Sequence, residues 1–128
     1  MNEIKEERVS TGTAKLAKEI GFDVETIQYL NHENGDIETE TESENWNQFV
    51  DMTSIPYQTI LQRWLRENKY LLVFVYFDLT ECTYFAVITC KETDGWASYK
   101  VSKSDNTNYE QALEIGLLES LKFLKDNK

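Results

Sequence analysis

The chain has 128 residues, a formal net charge of −10, 41% apolar residues, five glycines and one proline. A chain of this size and composition can bury a core without metal or disulfide staples, which argues against a disordered or stapled miniprotein. Its acidity opposes binding to phosphate backbones, because such binding depends on cations that displace counterions.

The acidity is uneven. Residues 1–55 hold 4 Lys/Arg against 13 Asp/Glu, a net of −9, and residues 56–128 hold 9 against 10, a net of −1. We expect one domain over 1–128, with an acidic helix and hairpin portion (1–55) before a nearly neutral body (56–128). The longest apolar run, residues 71–77, is far too short to span a bilayer. Residues 1–8 are charged and resemble no signal region, so cytoplasmic residence in a bacterial host is expected, with no membrane partner.

A first helix is expected over 11–20. Ser10 or Thr11 can cap it, Gly21 can end it in the left-handed region, and Phe22 follows as the apolar contact. Residues 25–30 read as a strand, Asn34-Gly35 as a hairpin turn, and residues 36–42 as an exposed returning edge strand or loop. Trp46, Phe49 and Val50 are expected to anchor an irregular connection.

A second helix follows, with Ser54 as its cap, Pro56 near its first turn, and Ile60, Leu61, Trp64 and Leu65 on one side. Three strands are expected at 70–78, 82–90 and 95–102, joined by short turns that make them antiparallel neighbours. Thr107 and Glu110 form a capping box for a last helix that runs to about residue 125. Gly116 falls inside that helix's apolar face, where it weakens the helix by up to about 1 kcal/mol, so a close approach to a neighbouring element is expected there.

The fold class is therefore α+β: an N-terminal helix and hairpin, then α-β-β-β-α with a three-stranded antiparallel sheet. That order is the one seen in double-stranded-RNA-binding domains, an analogy of topology alone. Such domains place cations at the start of the last helix. Here that turn, Thr107-Asn108-Tyr109-Glu110, has none, which argues against nucleic acid as a partner.

No catalytic constellation or cofactor motif is visible, and no enzyme activity is expected. The lone histidine, His32, falls in the hairpin turn and pairs with neither cysteine in a metal-ligand pattern. Cys82 and Cys90 sit about 26 Å apart along one expected strand, beyond disulfide reach, and read as small apolar residues. Asp36, Glu38, Glu40, Glu42 and Glu44 recur at every second residue and would form a carboxylate row on a strand. The row lacks the mixed ligands and turn glycine of a calcium loop. It reads as a solvated or partner-facing edge, and it could also imitate a phosphate ladder.

Residues 71–77 are apolar on both faces. Two helices on one face of the sheet leave the other row to be covered. The simpler expectation is that the N-terminal segment covers it; the alternative is a partner protein or a second copy of the chain. Phe74, Tyr76, Tyr84 and Trp96 are the candidate partner surface.

Three blocks carry a resemblance: residues 9–22 (VSTGTAKLAKEIGF), 56–67 (PYQTILQRWLRE) and 109–121 (YEQALEIGLLESL). In order and spacing they resemble a group of small uncharacterised phage and prophage proteins of gut anaerobes. The resemblance covers about a third of the chain and implies an accessory role on a mobile element, with no catalytic residues to carry over. Residues 23–53 depart from it. The functional expectation is a non-enzymatic protein-binding or self-associating module. Two alternatives stand beside it: an acidic nucleic-acid mimic that inhibits a host enzyme, and a nucleic-acid-binding domain.

Overall fold

A computed structural model describes residues 6–92, 94–101 and 108–127. Three helices and two three-stranded antiparallel sheets make up the chain, in keeping with the α+β expectation. In chain order the elements are α1 (Thr11–Ile20), β1 (Thr26–Asn31), β2 (Ile37–Glu44), a 3-10 turn (Trp46–Gln48), β3 (Met52–Ser54), α2 (Gln58–Lys69), β4 (Leu71–Asp78), β5 (Thr83–Glu92), β6 (Gly95–Lys100) and α3 (Tyr109–Asp126).

The front portion holds more structure than its sequence suggests. Ser10 caps α1 by accepting from the Thr13 amide, and Gly21 ends it at φ 103°. The hairpin forms, with Leu30 opposite Ile37 and Tyr29 opposite Glu38. A third strand, β3, was not expected; it pairs with β1 and gives the order β2-β1-β3. Ser54 is therefore a buried strand residue and not a helix cap. The cap position of α2 is Tyr57, which supplies no side-chain bond.

Trp46 anchors the connection as expected. Its indole donates to the Thr26 carbonyl at 2.7 Å and its ring stacks on Tyr29 at 4.3 Å. Phe49 and Val50 do not; both are exposed, Val50 at 91%. The turn is held by Lys18 of α1, whose ammonium donates to the Phe49 and Met52 carbonyls at 2.6 and 2.5 Å. A cation near the end of α1 thus joins the helix to the β2-β1-β3 sheet.

The second sheet has the order β4-β5-β6. Its pairing sets Leu71, Val73, Val75 and Phe77 beside Cys90, Ile88, Ala86 and Tyr84 on one face. That face meets α3 and α2, and α3 also packs against α1. The core runs through this layer, with Leu61, Leu65, Leu71, Leu113, Leu117 and Leu121 fully buried. At Gly116 an added Cβ would lie 2.7 Å from Val73 Cγ1 and 2.9 Å from Ala86 Cβ, so the glycine allows the helix to sit against the sheet. Asn108 caps α3 by accepting from the Gln111 amide at 2.8 Å. Thr107, the expected cap, lies outside the described residues, as does the end of the third expected strand beyond residue 101.

Candidate functional site

Strand alternation places Leu72, Phe74, Tyr76, Phe85, Val87, Trp96, Ser98 and Lys100 on the face of β4-β5-β6 opposite the helices. The described part of the N-terminal segment does not cover this face. Its helix packs on α3 and β3, on the far side of the core. Phe74 is 41% exposed, Tyr76 49% and Trp96 55%. The first two form a continuous strip with Phe85: Phe74 and Tyr76 are 6.3 Å apart by ring centroid, and Tyr76 stacks on Phe85 at 5.6 Å. Lys100 lays its ammonium 4.5 Å above the Phe85 ring.

Aromatic side chains of this kind bury about 150–250 Å² each, so Phe74 and Tyr76 together expose on the order of 200 Å², and Trp96, beside Lys91 at the other end of the face, adds about 100 Å² apart from them. The strip of Phe74 and Tyr76 is smaller than the roughly 300–600 Å² of the largest apolar patch on a typical monomer. It is below the roughly 800 Å² that each partner contributes to a standard interface. A partner resting here must also touch neighbouring residues, or bind weakly.

The four residues expected to form one surface divide between the two faces. Phe74, Tyr76 and Trp96 share the open face. Tyr84 is paired with Phe77 on the helix side, where their rings meet edge to face at 5.0 Å and Tyr84 touches Tyr109 of α3. Phe85 and Val87 take its place. The signal that finds them is the register: 74 pairs with 87 and 76 with 85.

The carboxylate row is ordered in part. Glu38, Glu40, Glu42 and Glu44 alternate along β2, the outer strand of its sheet, while Asp36 stands before it. The glutamates lie on the Tyr29 side, and the Tyr29 phenol is held above its ordinary value by burial first, then by Glu40 and Glu38. No group of three or more His, Cys, Asp or Glu among the described residues could hold a metal ion.

His32, Cys90 and Glu114 have structural settings. His32 Nε2 lies 2.7 Å from Thr53 Oγ1, tying the hairpin turn to β3. Cys82 is exposed in the turn before β5, and buried Cys90 has its thiol pushed up by burial, then by Glu92, which makes it a poor nucleophile. A cleft of about 560 Å³ opens where α1, α2 and α3 begin. The Glu114 carboxylate in it accepts from the Ser10 amide, the Thr13 hydroxyl and the Gln58 side chain. Three donors from two other elements make it a clamp between helices.

No helix among the described residues is long and apolar enough to cross a membrane. No family model, curated protein or solved structure matches the chain.

Proposed function

We propose that this chain is a non-enzymatic protein-binding module, of the accessory type carried by phages and prophages, that meets its partner with the outer face of β4-β5-β6. One observation carries the reading: Phe74, Tyr76 and Trp96 stand exposed on the sheet face opposite the helices. Leaving three large aromatics in water forfeits burial worth about 1.5–3 kcal/mol for each fully covered side chain. A partner that covers them recovers part of it. The cation above Phe85 and the hydroxyls of Tyr76 and Ser98 give the face a polar fringe suited to reversible contact.

Site-specific photocrosslinking in a bacterial host tests the proposal. A photoreactive phenylalanine at position 96 is expected to capture a discrete partner, and the same residue at exposed position 50 is not. Equal capture at both positions, or none at 96, contradicts it.

A second reading has its own support. Glu38, Glu40, Glu42 and Glu44 are held in a strand, where alternate residues advance about 6.6 Å, roughly two axial steps of 3.4 Å between successive phosphates of one DNA strand. The row could occupy a basic groove as a nucleic-acid mimic. Replacing the four glutamates with glutamine would then abolish inhibition of a basic nucleic-acid enzyme. The reading of the chain as a nucleic-acid binder rests only on the order α2-β4-β5-β6-α3, and the first turn of α3 carries Glu110 and no cation.

A further inference from the structure

We infer that the β4 edge is a self-association site, at which a second copy of the chain adds its own β4 antiparallel across a two-fold axis at Tyr76. The inference rests on the backbone and stands apart from the reading of the outer face.

In an antiparallel ladder both polar groups of a residue point to the same side, and the side alternates along the strand. The Ala86 carbonyl accepts from the Val101 amide, so Ala86 faces the β6 side and not β4. Its partner Val75 therefore directs its N–H and C=O away from β5, as do Val73 and Phe77. The Val73 carbonyl agrees with this parity, since it accepts from the Gln62 side chain of α2 at 2.7 Å. β4 is an outer strand of its sheet, so the amides and carbonyls of Val75 and Phe77 lie along an edge that no strand among the described residues pairs with.

Natural edges are guarded by charge, proline or bulges. β2 carries four glutamates, whose like charges repel a second β2. β4, Leu-Leu-Val-Phe-Val-Tyr-Phe-Asp, has no charge before Asp78, no proline and no break in its pairing. The occupied Val73 carbonyl and the end of the strand at Asp78 together select one self-complementary register. Val75 pairs with Phe77 of the second copy and Phe77 with its Val75, giving four hydrogen bonds. Tyr76 then faces its own copy.

The side chains fit that register. Phe77, 44% exposed, would cover Val75 of the second copy, and Leu79, 84% exposed, would reach toward its Val73. The two outer faces would join into one six-stranded platform. An extended segment of an unrelated protein could use the same edge, but it need not place Tyr76 on a symmetry axis.

That symmetry supplies the test. Opposed residues at a non-hydrogen-bonded antiparallel position lie about 4.5 Å apart by Cα, within disulfide range. In a Cys82→Ser background, Tyr76→Cys is expected to form a disulfide-linked dimer on mild oxidation, and Trp96→Cys is not. Sedimentation of the unmodified chain should show a reversible monomer–dimer equilibrium, weakened about tenfold or more by Phe77→Lys. It should be unchanged by Trp96→Ala, with circular dichroism confirming that each variant folds. A monomer up to about 1 mM, the weak end of specific affinity, overturns the inference. So does crosslinking at Trp96→Cys as fast as at Tyr76→Cys. Loss of dimer with Phe77→Lys leaves capture at position 96 to be read separately.

Discussion

At Gly116 the absence of a side chain lets α3 rest on Val73 and Ala86. Alanine there improves helix propensity by up to about 1 kcal/mol, but its methyl would press on two packed side chains at 2.7 and 2.9 Å. Overpacking of this kind costs about 1–3 kcal/mol, so Gly116→Ala is expected to lower the urea midpoint of unfolding. Glu114 presents the opposite case, a carboxylate whose removal strands its donors. Glu114→Ala should destabilise by about 1–3 kcal/mol, read in the same titration. Tyr29 gives a pH signature. Its phenol is raised above the ordinary 10.0, by burial first and then by Glu40 and Glu38. The folded state thus favours the protonated form, and its contribution to stability is complete below the unfolded value and lost as pH rises through the folded one. Glu38→Gln with Glu40→Gln should make that alkaline loss shallower in denaturation midpoints taken from about pH 8 to 11.

At the scale of elements, local chemistry explains what the sequence made legible. α1 has a hydroxyl cap at Ser10, a left-handed glycine at Gly21 and an apolar residue beyond it at Phe22, and it forms where expected. β4 is a continuous apolar run and β5 is rich in β-branched and aromatic residues, with a short turn between them, and their hairpin forms. β3 was not legible because three residues carry no period; β1 and the bond from the Ser54 amide to Asn47 Oδ1 define it. The same pairing removed Ser54 from its expected capping role. Tyr84 was placed on the wrong face because aromatic character says nothing about side, while register does. The cap of α3 is Asn108 rather than a residue before it, and Asn108→Ala should cost about 1 kcal/mol in the unfolding titration.

Across the whole molecule, the acidic front portion and the neutral body join through α1, α3 and the Glu114 clamp. That arrangement spends the N-terminal helix on the core and leaves the outer face of β4-β5-β6 in water. The proposed function makes this face a contact surface. Quantitative affinity capture from a bacterial host, comparing the wild-type chain with Phe74→Ser/Trp96→Ser, tests it most directly. Both changes are at exposed positions, so the variant should keep its fold by circular dichroism. A defined partner is expected on the wild-type chain and lost from the folded variant. The same partner held equally by both chains, or no partner on either, contradicts it.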